Sequence, residues 1–253
     1  MTGNVATKSL WLVNRRPVPH AKATLICFPF AGAGASAYSG WPRRFPDSVQ
    51  VLAVQLPGRE NRLGEDPLDD LDAIVDAVAP EIAPYTDGRY FLFGHSMGAL
   101  LAYEVARRLR DNGRPEPQAL IVSGRRAPHL PSSLPPIRHL PMADLIETVR
   151  RFDGTPPAVF DDPELVELLL PALRADFAVS ETYAHARNGG PLTAPMVALS
   201  GSADTLCTVD DVDRWREHTT GPFRHHTFPG GHFFVREQTN AVLDAVTPLL
   251  GLG

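Results

Sequence analysis

The feature that most limits what this chain can fold into is Tyr90-Phe91-Leu92-Phe93-Gly94-His95-Ser96-Met97-Gly98-Ala99. An apolar run ends in Gly-x-Ser-x-Gly and passes directly into Leu100-Leu101-Ala102-Tyr103-Glu104-Val105, which favours helix. A strand, a tight turn and a helix in that order put the serine on a strained corner at the carboxyl edge of a sheet. Gly94 and Gly98 lack a Cβ, so neighbouring backbone can crowd against the turn. Ser96 is therefore the candidate nucleophile; the bland alternative is a Gly-rich connection with an incidental serine.

The rest of the chain repeats the strand-then-helix alternation. Buried-type runs fall at Ala23–Phe28, Val49–Leu56, Gln118–Ser123, Pro195–Ser200 and Phe223–Phe228. Leu71, Ile74, Val75, Val78 and Ile82 recur at helical spacing, helices are expected over 97–110 and 209–218, and residues 235–250 form a closing amphipathic helix. Runs with little polar alternation, separated by helices, predict an α/β fold with a mostly parallel sheet covered on both faces. At 253 residues the chain fits one such domain, 1–253.

The interval from Arg125 to about Gly190 breaks the rhythm. It holds helical patterns at 140–151 and 163–183, with proline-rich connectors at 131–136 and 156–157, and no convincing strand. An insertion at 125–190, on the edge where Ser96 emerges, predicts a helical lid that excludes water and selects the substrate; the alternative is helices that merely extend the core.

A serine hydroxyl needs an imidazole to take its proton and a carboxylate to orient that imidazole. Elbow folds of this kind place the acid and then the histidine after the serine, at strand ends. The run 195–200 leads through Gly201-Ser202-Ala203 to Asp204, and the run 223–228 leads through Pro229-Gly230-Gly231 to His232. Asp204 and His232 are the expected acid and base. Asp210, Asp211 and Asp213 are the rival acids, but they fall in the first turns of a helix, where its dipole favours them. For the oxyanion, one backbone donor is Met97 and the other comes from Pro29-Phe30-Ala31-Gly32-Ala33-Gly34, with Ala31 preferred over Phe30.

Other patterns read blandly. His95 packs beneath the turn or shapes the pocket. His225 and His226 are adjacent on a strand and point to opposite faces, so a shared metal ion is not expected. His20, His129, His139, His185 and His218 read as surface or lid residues. Cys27 and Cys207 do not make a disulfide framework. The formal charge of −5 and the absence of long basic runs argue against nucleic acid or an anionic membrane as partner. No run reaches the length of a membrane span and no signal-type apolar stretch opens the sequence, so the expected location is the cytoplasm.

Phe28-Pro29-Phe30-Ala31-Gly32-Ala33-Gly34, Gln55-Leu56-Pro57-Gly58-Arg59-Glu60, Phe93 to Ala99, Leu170-Pro171-Ala172-Leu173-Arg174-Ala175-Asp176-Phe177 and Pro229-Gly230-Gly231-His232-Phe233 together resemble the type II (discrete) thioesterases. These accompany polyketide synthases and nonribosomal peptide synthetases and have the α/β-hydrolase fold. The resemblance spans about residues 10 to 250; the elbow is shared by many hydrolases, whereas the second and fourth segments are more particular. It implies a Ser96–Asp204–His232 triad and oxyanion donors at Met97 and Ala31. It also implies removal of aberrant or stalled acyl groups from the phosphopantetheine arm of acyl or peptidyl carrier domains, with no cofactor. Ala33 departs from the pattern, since many members carry glycine there. Arg59 is expected to hold its loop through an ion pair with Glu60 or a lid acid. The competing functions are an esterase or acyltransferase acting on a free small molecule and, less favoured, a hydrolase-fold binding protein without turnover.

Overall fold

The computed structural model describes residues 9–132, 135–152, 154, 157–185 and 189–251, without the side chains of residues 157 and 158. Its strands are β1 (Leu12–Val13), β2 (Ala23–Phe28), β3 (Val49–Val54), β4 (Tyr90–His95), β5 (Ala119–Ser123), β6 (Met196–Gly201) and β7 (Phe223–Phe228). They form one seven-stranded sheet in the order β1-β3-β2-β4-β5-β6-β7. All pairings are parallel except β1 with β3. This is the expected α/β arrangement, with the two-residue edge strand β1 as an addition.

The helices are α1 (Leu71–Ile82), α2 (Met97–Asp111), α3 (Met142–Arg151), α4 (Pro157–Phe160), α5 (Pro163–Thr182), α6 (Val209–Asp213), α7 (Phe234–Glu237) and α8 (Thr239–Val246). Side-chain caps fix three of their starts. The Asp70 side chain accepts from Ala73 N–H, the Asp162 side chain accepts from Glu164 and Leu165 N–H, and Thr208 and Asp211 form a reciprocal capping box. The closing helix expected over 235–250 is divided: α7 ends at Glu237, α8 follows, and a 3-10 turn covers Thr247–Leu250.

Alternation along the central strands feeds two cores. Ile26, Phe28, Leu52, Leu92 and Val122 pack with α1 and α2 on one face. Leu25, Cys27, Phe91, Phe93 and Leu199 pack with Trp41, Phe45 and α8 on the other. Both faces are covered, and that is why these strands read as unbroken apolar runs.

Helices α3, α4 and α5 lie between β5 and β6, within the 125–190 interval, and are called the lid below. They have a small core of their own around Ile137, Leu145 and Val149, against which Phe152, Leu170, Leu173 and Phe177 pack. The proline connectors at 131–136 and 156–157 lie partly outside the described residues.

Candidate active site

Ser96 sits between β4 and α2 with φ 55° and ψ −118°, a backbone conformation that costs a non-glycine residue on the order of 1–3 kcal/mol. The surroundings hold it there. Ser96 N–H donates to the Ser123 carbonyl (2.8 Å), and its own carbonyl accepts from Ala99 N–H (3.0 Å). A Cβ on Gly94 would run into the backbone of Gly98, and one on Gly98 into the carbonyl of Phe28, so both glycines are required by the close approach of β4, α2 and the loop after β2. Met97, the first residue of α2, is fully buried, and its N–H belongs to the open N-terminal turn of that helix.

β6 and β7 end side by side, and the turns that follow are joined. Ser202 N–H donates to the Phe228 carbonyl (2.8 Å) and Ala203 N–H to the Gly230 carbonyl (2.9 Å). This joining brings Asp204 Oδ2 to 2.8 Å from His232 Nδ1, with the Asp204 side chain fully buried. The other carboxylate oxygen accepts from Leu206 N–H (2.8 Å) and Cys207 N–H (3.2 Å). Burial alone raises the Asp204 pKa, but the hydrogen bond and charge of His232, with the Leu206 and Cys207 donors, outweigh it and hold the carboxyl below its ordinary value. The carboxylate is therefore ionised at neutral pH and stands as an acceptor toward His232 Nδ1.

Ser96 and His232 line one cavity of about 240 Å³, together with Phe30, Ala31, Leu100 and Cys207 from the body and Ile137, Val149, Phe152, Leu173 and Phe177 from the lid. The structure thus gathers Ser96, His232 and Ala31 around one space, which Arg125, Arg126 and Glu181 also line, with Asp204 behind His232. Phe30, the rival to Ala31, lines the same space, and its ring meets Phe233 edge-on at 5.1 Å.

Two of the three rival acids are engaged elsewhere. Asp211 closes the α6 capping box and pairs with Arg126 (2.8 Å), and Asp213 pairs with Arg216 (2.6 Å) and His225 (3.2 Å). Arg59 pairs with a lid acid, Asp176, rather than with Glu60. His95 lies beneath the turn, as expected. Its Nδ1 is 2.9 Å from Ser123 Oγ and its ring centroid is 5.1 Å from that of His232; burial, then the neighbouring His232, push its pKa well down, so it is neutral.

One expectation needs correction. His218 is neither a surface nor a lid residue: it is buried in the body, 5% exposed, beside Tyr103 OH (3.1 Å) and His129 Nδ1 (2.8 Å). Burial, with His185 and His129 adding to it, pushes its pKa down to about 3, so it packs as a neutral ring. The pattern around it is aromatic, from Tyr103 and Trp215, and that environment admits a histidine without a charge.

Two side chains at the site were not anticipated. Cys207 Sγ donates to Asp204 Oδ2 (3.2 Å), and Asp176 on α5 accepts from Gly32 N–H (2.7 Å) in the loop that carries Ala31. Helix α6 and its capping box, which follow directly on Cys207, were a weak signal for the first; nothing local in sequence points to the second. Among the described residues, the side chains close enough to share a metal ion are Asp204, Cys207 and His232, whose donor atoms lie within 4.8 Å of one another. Their mutual hydrogen bonds account for that closeness. No helix among the described residues is long and apolar enough to cross a membrane.

Comparison with known proteins agrees with this architecture. The thioesterase domain family matches residues 23–250. The chain is 40% identical over 242 residues to the gramicidin S biosynthesis protein GrsT of Aneurinibacillus migulanus, covering 96% of this chain and 94% of that protein. It is 37% identical over 240 residues to the thioesterase PikA5 of Streptomyces venezuelae, covering 94% and 84% respectively. Among solved structures, the type II thioesterase BorB of the borrelidin biosynthetic cluster superposes with a TM-score of 0.89 at 38% identity, over 96% of this chain and 99% of that one. The seven-stranded sheet, the lidded cavity and these matches together make the chain a member of the thioesterase family, with the α/β-hydrolase fold.

Proposed function

We propose that this enzyme hydrolyses acyl groups from the phosphopantetheine thiol of acyl or peptidyl carrier domains, clearing aberrant or stalled units from polyketide or nonribosomal peptide assembly in the cytoplasm. The observation that carries the reading is the shared lining of one lidded cavity by Ser96 and His232 in a chain of the thioesterase family. Relatives named for gramicidin S biosynthesis and for a borrelidin cluster support the pathway class.

In this reading His232 Nε2 takes the Ser96 hydroxyl proton as Oγ attacks the thioester carbonyl. The resulting oxyanion is held by the Met97 and Ala31 N–H groups, the first aided by the N-terminal dipole of α2. The C–S bond breaks, the thiol leaves with the proton from His232, and the acyl group remains on Ser96. Water then gives a proton to His232 and attacks the ester carbonyl; the C–O bond to Ser96 breaks, His232 returns the proton to Oγ, and the carboxylic acid is released. Asp204 stabilises the imidazolium at both stages. Water is the only other reactant, so no cofactor is required.

The reading is tested by offering one acyl chain as a carrier-protein thioester and as a matched oxygen ester of a small alcohol, with the products followed by mass spectrometry. Preferred hydrolysis of the carrier thioester is expected. Preference for the oxygen ester, with no advantage from the carrier protein, would instead identify an esterase.

A further inference from the structure

The loop that carries Ala31 is held from the lid. Asp176 on α5 accepts from Gly32 N–H (2.7 Å) with Oδ2, and the same oxygen accepts from Arg59 Nη1 (2.6 Å) while Oδ1 accepts from Arg59 Nη2 (2.8 Å). Both side chains are buried, 5% exposed for Arg59 and 0% for Asp176. Arg59 Nη1 also donates to the Ala33 carbonyl (3.1 Å). The loop is thus gripped at Gly32 and at Ala33, on the C-terminal side of Ala31. Packing adds a second hold from the same helix: Gly32 has φ +78°, and a Cβ there would lie 3.2 Å from Leu173 Cδ1, one turn before Asp176.

These contacts have an electrostatic logic. A bare carboxylate beside the oxyanion loop would oppose the negative charge that develops in the transition state. The bidentate pairing with Arg59 neutralises it while leaving it able to orient a peptide N–H. Leu173 and Phe177, which flank Asp176 on α5, line the cavity, so the element that touches the acyl chain also holds the donor loop.

We propose that the oxyanion hole is a joint construction of body and lid, in which Asp176 and Arg59 are positioning residues that aim Ala31 N–H at the developing charge. The seated position of α5 is then a condition for turnover as well as for substrate enclosure. The inference rests on the reading of Ser96 and Ala31 given above.

The test uses Asp176→Leu and the double variant Arg59→Met/Asp176→Leu. The single change leaves Arg59 buried without a counter-ion; the double change replaces the pair by apolar side chains, which proteins often tolerate with little loss of stability. Both lose the acceptor for Gly32 N–H. Three quantities are read on each variant that unfolds cooperatively: kcat and KM, their pH profile, and affinity for a trifluoromethyl ketone analogue of an acyl-pantetheine thioester. The analogue closes on Ser96 as a hemiketal oxyanion. The expected result is a fall in kcat of about tenfold to a hundredfold, by analogy with a displaced oxyanion donor, and a matching fall in analogue affinity. KM should stay within about twofold, and the pH midpoint should not move, because the His232–Asp204 pair is untouched; these bounds follow from loss of an interaction made only in the transition state.

A purely structural ion pair would be rescued by the double variant. Wild-type kcat and analogue affinity in that variant would overturn the inference alone. Failure of the wild-type enzyme to form the adduct on Ser96 would overturn the Ser96 reading and the inference with it.

Discussion

The turns that carry Asp204 and His232 are held by main chain, whereas the lid that faces them is held largely by side-chain charge. In the first region, Ser202 and Ala203 N–H bond the carbonyls of Phe228 and Gly230, and a Cβ on Gly201 would collide with Gly231. In the second, the ties to the body include Arg59–Asp176, Arg126–Asp211, the Tyr183 hydroxyl bond to Glu104 (2.6 Å) and the Trp215 indole bond to the Arg125 carbonyl (2.7 Å), with Ala127 N–H to the Asp211 carbonyl as a main-chain tie. Backbone pairing at the ends of parallel strands depends little on which side chains are present, so it delivers Asp204 and His232 to one place reproducibly. Side-chain ties can be lengthened, weakened or exchanged without disturbing the sheet, which suits a part that encloses different acyl chains.

The contrast predicts that changes at the sheet edge remove chemistry and that changes at the lid ties other than Arg59–Asp176, which also grips the loop of Ala31, alter substrate handling. Ser96→Ala should have the largest effect, a loss of about 10⁶ in kcat as in serine hydrolases that lose their nucleophile, with carrier-protein affinity nearly unchanged in a binding titration. Next is Asp204→Asn, with a loss on the order of 10⁴ in kcat because the imidazole loses its orienting charge and its tautomer. Asp204 also adds a pH-dependent share of stability. Its folded pKa lies below the unfolded value near ~3.9, so the contribution is present above that value and is lost as pH falls through the folded one. Urea denaturation of the wild-type and Asp204→Asn proteins should show their stability difference shrinking through that acid window, and a difference constant with pH would contradict the charge assignment.

Smallest is Arg126→Ala, which cuts a partly exposed tie between the start of the lid and α6. A stability loss within about 1 kcal/mol is expected for a pair of this exposure, measured by thermal unfolding. The accompanying kinetic effect should fall on KM for the carrier-bound substrate, with kcat little changed. A large fall in kcat with KM unchanged would erase the distinction between the two regions.

The same contrast explains what the sequence made legible. The elbow, the strand ends at Asp204 and His232, and the helices of the lid are local patterns, set by residues within a few positions of each other. The placement of Ser96, His232 and Ala31 on one cavity follows from sheet topology once those patterns are read. By contrast, the grip of Asp176 on Gly32 joins residues 144 apart through a backbone N–H, and no side-chain pattern at Gly32 announces it. His218 was misread for a related reason: its neighbours Tyr103 and His129 come from distant segments, and only their convergence makes its burial evident. The strand β1 was missed because two residues carry no measurable periodicity, their pairing with β3 being decided by the sheet edge.

The central claim is that the elbow serine is a nucleophile activated by His232. It is tested most directly by treating the folded enzyme with a fluorophosphonate and mapping the adduct by peptide mass spectrometry. The account predicts one adduct, on Ser96, formed rapidly in the wild-type enzyme and severely slowed in His232→Ala. Labelling elsewhere, or none at Ser96 in folded protein, would contradict it.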